Sequence, residues 1–343
     1  MNHSLKNLEA GTLEISRLAS RTAADLSDLV HRSNREYIGS SPLGKPESVA
    51  VRAGLAGGLP FNTLTTDLVS GCLPIRQACY GMCFAARASL GRGIDFGIRV
   101  SNRLEEKILM ADLERLPISQ GYLRNGWNSD PSWSWGTALE LARMVRATDR
   151  LTIFITKGFL KIDPTVLGGL VGSGAEIRVS LSAIDNDAQL SNRMELVLNY
   201  RKAGGVAVPI LMSAPFRDAH LASRQEEIVC WLRANDLPAA ENSLRFPSNS
   251  QIKKLVDLDM TRPIAGTSDL WSGRLFSDSL VIPTTTTVPD SYRGLGSGFL
   301  SRIDLDFVRT LYHDPVCTHE EVMASGESLR HPRQCGVPNV GRS

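Results

Sequence analysis

The sequence predicts an α/β protein whose main part is a partial (β/α)6 barrel of the TIM type. Short β-prone stretches alternate with helical stretches through the middle of the chain, which is the pattern of βαβ units and a parallel sheet. In EIRVSLS at 176–182, the odd-numbered residues are apolar, while Arg178, Ser180 and Ser182 share the other face. An apolar face suits packing against helices and a polar face suits a barrel lumen, so the pattern favours a barrel over a doubly wound sheet.

The alternating elements lie between residues 61 and 246. The predicted strands cover 64–70, 121–127, 151–156, 176–182, 206–212 and 243–246. The predicted helices cover 101–116, 135–147, 164–171, 193–203 and 223–234. Residues 1–60 are expected to form an N-terminal helical extension and a linker rich in Gly, Pro and Ser. Residues 247–343 lose the alternation and are expected to form an irregular C-terminal cap.

Composition narrows the class of protein. Hydrophobic residues make up 42% and charged residues 22% of the 343 residues, as in a globular protein with a core. The net charge of +2 gives no electrostatic reason to expect nucleic acid or an anionic membrane as a partner. No apolar run is long enough to span a membrane and the N-terminus does not resemble a secretory signal, so we expect a cytoplasmic protein with reduced thiols.

Three of the six cysteines lie close together in SGCLPIRQACYGMCFAAR, residues 70–87. Thiolates from Cys72, Cys79 and Cys83 on one loop can hold three irons of a [4Fe–4S] cluster and leave the fourth iron open. A structural zinc site and buried inert thiols are the alternatives. Zinc would need a ligand from elsewhere in the chain, since no His lies between His31 and His220.

The order of strand, cysteine loop, helix and repeated βα units resembles the radical S-adenosylmethionine (SAM) superfamily. The spacing is C-x6-C-x3-C instead of the familiar C-x3-C-x2-C, and Ala86 stands where the third cysteine would be expected. A divergent branch with photolyase-like and phage-associated members is similar, because there a Gly-Cys pair ends the first strand. An aromatic-Ala pair follows the cysteines in that branch, matched here by Phe84 and Ala85.

This resemblance implies an enzyme. A [4Fe–4S] cluster on the three cysteines would cleave SAM to a 5′-deoxyadenosyl radical, which abstracts hydrogen from a substrate that the sequence does not name. An electron donor such as a flavodoxin or ferredoxin is implied as a partner. Two rival functions remain open: a non-catalytic iron–sulfur or zinc protein in electron transfer or as a scaffold, and a metal-free barrel enzyme.

The resemblance also assigns SAM contacts at the ends of the predicted strands: Asn128, Ser129, Asp130, Lys157, Arg178, Ser180 and Ser182. The turn at 128–130 stands where the superfamily carries a Gly-Gly-Glu-Pro-like segment, and Asp130 would be the acid that binds the SAM amino group. The two serines correspond to polar contacts to the ribose and carboxylate, and Lys157 and Arg178 are candidates for the carboxylate.

Five of these residues also have a purely structural interpretation. Asp130 precedes Pro and Ser and is a typical helix cap. The two serines can fill a lumen, Lys157 can be a solvated strand end, and Arg178 can pair with a lumen acid.

The remaining cysteines and the tryptophans give weaker signals. Cys230 lies in an apolar helical pattern and is expected to be a core thiol. Cys317 and Cys335, with three histidines between residues 313 and 331, leave open a second cluster or metal. The tryptophans at 127, 133 and 135 are expected to pack in the core rather than to stack on a bound ring.

Overall fold

The computed structural model describes residues 42–55, 63–72, 83–116, 121–237, 239–247, 251–260, 262–263 and 270–273. The strands within these ranges are β1 Ala53–Leu55, β2 Thr63–Thr65, β3 Val69–Ser70, β4 Val100–Ser101, β5 Tyr122–Asn125, β6 Leu151–Thr156, β7 Glu176–Leu181, β8 Val206–Ser213, β9 Ala240–Pro247, β10 Arg262–Pro263 and β11 Leu270–Gly273. The α-helices are α1 Phe84–Gly91, α2 Glu106–Arg115, α3 Trp135–Arg146, α4 Pro164–Gly172, α5 Asp187–Lys202 and α6 Ala219–Ala234. Short 3-10 helices cover Pro131–Ser134, Gln251–Lys254 and Leu258–Met260.

One large sheet organises the described part of the chain. Its strand order is β1-β2-β5-β6-β7-β8-β9-β11-β10. Strands β2 and β5 to β9 run parallel in chain order, while β1, β11 and β10 add antiparallel edges. Helices connect successive parallel strands from β5 onward, as parallel pairing requires. The predicted α/β class with a parallel sheet is therefore confirmed, and closure into a partial barrel stays a prediction.

The two faces of β7 differ as the sequence predicts. Ile177, Val179 and Leu181 of β7 are fully buried in the main hydrophobic core, which also contains Leu139 of α3 and Ile228 of α6. Successive strand residues point to opposite faces, so the even-numbered polar residues of β7 lie on the face away from this core. Burial of the apolar face against the helices is what fixes the register of the strand.

The first predicted strand, 64–70, is divided in the structure. Strand β2 ends at Thr65, and β3 then pairs antiparallel with β4 in a separate two-stranded sheet. Between the two strands, the buried side chain of Asp67 accepts hydrogen bonds from the turn after β5. This carboxylate replaces the strand pairing at that point, which is why the β-prone sequence does not form one continuous strand.

Helices α5 and α6 begin earlier than the hydrophobic pattern predicts. Asn186 caps α5 by accepting from the backbone N–H of Gln189, and Asp218 caps α6 by accepting from that of Leu221. Both caps are residue types that favour helix starts. The apolar spacing becomes regular only in the later turns, so the sequence pattern missed the polar first turns.

Segments on either side of the parallel strands extend the sheet. Residues 42–55, which the sequence places in the linker, include β1 and the buried Val51, and Arg52 makes a bidentate ion pair with Asp112 of α2. On the C-terminal side, β11 pairs with β9. The predicted N-terminal helix at 1–38 and the chain after residue 273 lie outside the described residues. None of the helices that the structure describes combines the length and the apolar character needed to cross a membrane.

Candidate functional site

Most of the described residues singled out by the sequence lie at one edge of the sheet; Arg178, the third residue of β7, does not. Parallel strands end at the same edge, and α/β proteins place their ligands there. After β2 the chain runs through Asp67 to Cys72, and after β5 it makes the turn 126–130. Lys157 follows β6 directly, and Ser182 follows β7 directly.

Cys72 is held in place by its backbone. Its N–H donates to the carbonyl oxygen of Phe96 at 2.8 Å, and its side chain is buried. The preceding Gly71 has φ +80°, and a Cβ atom there would lie 1.9 Å from the carbonyl oxygen of Ile98. Glycine is therefore required for the chain to deliver Cys72 to this position.

Cys72 and Cys83 meet in the same small apolar cluster. Cys72, Ala85, Ala86 and Phe96 form its buried centre, and Cys83 packs against it immediately before α1. Cys79 lies outside the described residues. Among the residues that the structure describes, no group of three His, Cys, Asp or Glu side chains forms a metal site. The three-cysteine ligand set thus stays a prediction.

Asp67 is a site residue that the sequence analysis missed. Its carboxylate accepts backbone N–H bonds from Gly126 and Trp127 at 2.8 Å and from Asn128 at 2.6 Å. Burial raises the pKa of Asp67 to about 6, with a smaller contribution from the charge of Asp130, while the three N–H bonds act in the opposite direction. The side chain fixes the backbone of the turn in which Asn128 is exposed.

The same turn is joined to the cysteine segment. The hydroxyl of Ser129 donates to the carbonyl oxygen of Gly71 at 2.5 Å, directly before Cys72. Of the three turn residues assigned from the resemblance, Asn128 is exposed, Ser129 is half-buried and Asp130 is buried. The first cysteine and the predicted SAM-binding turn are therefore neighbours.

Asp130 has the capping role that its sequence context indicated. Its Oδ1 accepts from the backbone N–H and the hydroxyl of Ser132, at the start of the 3-10 helix, and from the hydroxyl of Thr156. Its Oδ2 accepts from the backbone N–H of Lys157 at 2.6 Å. Asp130 thus joins the ends of β5 and β6, and its predicted contact to the SAM amino group stays a prediction.

Lys157 takes part in a buried charge cluster. Its Nζ lies 3.4 Å from Oδ1 of Asp185, and Arg193 of α5 pairs with the other oxygen of that carboxylate. Burial alone would raise the pKa of Asp185, but the positive charges of Arg193 and Lys157 outweigh it and hold this pKa below its usual value. Lys157 is 18% exposed, so the alternative of a solvated strand end is wrong.

Of the residues in and directly after β7 that were assigned to SAM, Arg178 and Ser182 have internal hydrogen-bond partners. Nε of Arg178 donates to Oε1 of Glu176 at 2.6 Å with both side chains buried, which is the pairing with an acid that the sequence left open. Ser182 is buried, and its hydroxyl oxygen accepts from the backbone N–H of Ile184 at 3.5 Å. Ser180 is half-buried. Their predicted SAM contacts stay predictions.

Trp133 packs against the small apolar cluster that contains Cys72. Its indole N–H donates to Sγ of Cys72 at 3.4 Å, and its ring stacks on Phe159 with centroids 5.0 Å apart. The guanidinium carbon of Arg99 lies 3.8 Å from the centre of the same ring. Trp135 is buried in the core and donates to the carbonyl oxygen of Leu160.

Comparison with known proteins adds little to this geometry. No family model matches the chain, and no curated protein sequence matches it. Among solved structures, the chain is similar to a spore photoproduct lyase complexed with dinucleoside spore photoproduct, at 14% sequence identity and a TM-score of 0.42. The similarity covers 60% of this chain and 66% of the lyase chain. A likeness of this size assigns neither an activity nor a ligand to the present chain.

Two further sequence expectations concern cysteines away from the site. The prediction that Cys230 is a core thiol is wrong, because its side chain is exposed while Ile228, Val229 and Leu232 on the same helix are buried. A continuous apolar run on a helix does not reveal which member faces outward. The expected second metal site on Cys317 and Cys335 lies outside the described residues.

Proposed function

We propose that this chain is a radical SAM enzyme that holds a [4Fe–4S] cluster on Cys72, Cys79 and Cys83. The observation that supports the proposal best is the hydrogen bond from Ser129 to the carbonyl of Gly71. It joins the start of the cysteine segment to the turn assigned to SAM, which is the adjacency that a cluster-bound SAM molecule would need.

The groups around Cys72 fit an iron–sulfur cluster. Ligating cysteines carry negative charge as thiolates, and hydrogen bonds to their sulfurs tune such clusters. Here the Trp133 N–H points at Sγ of Cys72, and the Arg99 guanidinium lies over the Trp133 ring. Apolar Ala85, Ala86 and Phe96 keep water from the buried side of Cys72. The Trp133 N–H and the nearby guanidinium suit an anionic sulfur ligand, whereas apolar burial alone favours a neutral thiol, so it is the donors that support the proposal.

When bound, the cluster would supply one electron to SAM, whose carbon–sulfur bond breaks to give methionine and a 5′-deoxyadenosyl radical that abstracts hydrogen from the substrate. The residues of this chain would bind and orient the SAM molecule. We assign its amino group to the turn Asn128, Ser129 and Asp130. We assign its carboxylate to Lys157 or Arg178. Ser180 and Ser182 would provide polar contacts to the ribose and the carboxylate.

Iron content tests the proposal directly. Anaerobically purified protein should be brown and contain about four irons per chain. Cys72→Ala, Cys79→Ala and Cys83→Ala should each lose the iron, because each removes a ligand. Cys230→Ala is the matched control, since that thiol is exposed on α6, and it should load fully.

The outcome separates the function classes. A colourless protein that contains zinc would contradict the radical SAM proposal and support a zinc-binding scaffold. A metal-free protein would contradict the presence of any cluster. A loaded protein whose reduced electron paramagnetic resonance signal does not respond to SAM would be a non-catalytic iron–sulfur protein. Full iron loading in the Cys72 variant would contradict the C-x6-C-x3-C ligand set.

A further inference from the structure

We infer that Trp133 is a positioning residue that raises the reduction potential of the cluster through its hydrogen bond to Cys72. The inference rests on the proposed function and concerns how this chain controls electron entry. An indole ring has one N–H donor and no acceptor. In this structure that donor is 3.4 Å from Sγ of Cys72, so the bond is directed at a sulfur atom rather than at a stronger backbone acceptor.

The orientation of Trp133 is fixed from several sides. Its ring lies nearly parallel to Phe159, with 10° between the planes, and Arg99 lies over the ring. Its backbone N–H donates to the carbonyl oxygen of Asp130 at 3.2 Å. The indole N–H is therefore held towards Cys72 before any cofactor binds, which is the preorganisation that a lasting effect on the sulfur requires.

A chain of hydrogen bonds fixes Phe159 against Trp133. The backbone N–H of Phe159 donates to the hydroxyl of Ser132 at 2.9 Å, and that hydroxyl donates to Oδ1 of Asp130 at 2.6 Å. Ser132 and Asp130 are buried, and the bonds join the 3-10 helix to the segment after β6. The Asp130 network, whose members are conventional capping residues, thus supports the ring that contacts the first cysteine.

The direction of the effect follows from charge. Reduction adds one electron to the cluster, and the added negative charge is shared by its sulfur ligands. A hydrogen-bond donor and a nearby cation stabilise the more negative, reduced form more than the oxidised form, so both raise the reduction potential. Arg99 is exposed, so we expect its contribution to be smaller than that of the Trp133 N–H.

The test is the reduction potential of the loaded protein, measured by electron paramagnetic resonance in a redox titration without SAM. Trp133→Phe keeps an aromatic ring for Phe159 and Arg99 but removes the N–H. We expect the preference for the reduced state to fall about three- to tenfold, which is about 30 to 60 mV for a one-electron couple. Trp135→Phe is the matched control, because its N–H serves the carbonyl of Leu160, and its potential should equal that of the parent.

The possible results distinguish this inference from the proposed function. Equal potentials in the parent and in loaded Trp133→Phe overturn the inference and leave the proposed function intact. A parent protein without iron overturns both. If Trp133→Phe does not fold or load, benzothienylalanine at residue 133 decides, because this tryptophan analogue keeps the fused ring and the Arg99 contact but has sulfur in place of the N–H: a lower potential supports the inference, and an unchanged potential overturns it.

Discussion

Replacing Gly71 by alanine should destabilise the protein far more than the same change at another glycine with a similar backbone conformation. Gly71 has φ +80°, and Gly93, in the turn after α1, has φ +70°. Alanine in this left-handed region costs roughly 1–2 kcal/mol by itself. A Cβ at residue 93 would meet no atom within 4 Å, so Gly93→Ala measures this backbone cost alone.

Gly71→Ala adds a collision to the backbone cost. Its Cβ would lie 1.9 Å from the carbonyl oxygen of Ile98 and 3.2 Å from that of Phe96. Both atoms are backbone atoms rather than parts of a flexible side chain, so the backbone must move by about 1 Å. This movement would strain or break the hydrogen bond from the Cys72 N–H to the Phe96 carbonyl oxygen. We expect a total loss of about 3–5 kcal/mol in the free energy of unfolding, which is large for one substitution.

Urea unfolding followed by circular dichroism, with parent, Gly71→Ala and Gly93→Ala measured side by side, gives both losses. The difference between the two variants should be at least about 2 kcal/mol, because only Gly71 faces a backbone oxygen at short distance. Equal losses at the two positions would refute the close approach of Gly71 to Ile98, and with it the placement of Cys72.

Three further predictions follow from the charged residues of the site. Under the proposed function, Lys157→Met should weaken SAM binding about tenfold, as expected for the loss of one charge-assisted contact, when the reduced protein is titrated with SAM and followed by electron paramagnetic resonance. Lys161→Met, at a side chain that is 76% exposed, should leave the affinity unchanged. The pKa of Asp67 is about 6 in the folded protein against 3.8 without its surroundings, so the folded state binds the proton more tightly. The stabilisation that Asp67 contributes is therefore complete below about pH 4, and the free energy of unfolding falls by about 3 kcal/mol as the pH rises through 6. Unfolding curves of Asp67→Asn measured across this pH range should lack this dependence. Asp130→Asn keeps one acceptor oxygen for capping but turns an amide N–H₂ towards the backbone N–H of Lys157 or towards Ser132. This substitution should therefore lower the free energy of unfolding by about 1–3 kcal/mol. An unchanged melting curve would contradict the bonding of both carboxylate oxygens.

The parallel strands could be predicted because their signal is local. Strand β6 occupies the predicted residues 151–156, and β7 differs from its prediction by one residue. In β7 the alternation of apolar and polar residues directly reflects burial against the helices on one face, whereas in β6 it is Phe154, on the same face as the two threonines, that joins the helix-side core. Where a side chain from a distant segment ends a strand, as Asp67 does after β2, the local pattern carries no sign of it.

The charged partners of the site were not predictable for the same reason. Asp67 contacts residues about sixty positions away in the sequence, and Asp185 meets Lys157 from the next βα unit. Arg193 was expected at the start of a helix, yet its side chain is almost fully buried within α5. A single acid or base in the sequence is compatible with a solvated surface, and only the fold shows which of them are brought together.

Two buried carboxylates, those of Asp67 and Asp130, stabilise different parts of the site. Asp67 accepts from three backbone N–H groups of the turn after β5. Asp130, at the end of that turn, accepts from the last residue of β6 and from the first residue after it. Through Ser129 the same turn reaches the backbone before Cys72. The ends of β2, β5 and β6 are therefore joined by hydrogen bonds. A substitution at Asp130 would disturb two things: the turn assigned to SAM, and, through Trp133, the surroundings of Cys72. Under the proposed function, a loss of SAM affinity in an Asp130 variant therefore identifies a direct contact only if the reduction potential of the iron-loaded protein, which would report the inferred effect of the Trp133 bond, remains that of the parent.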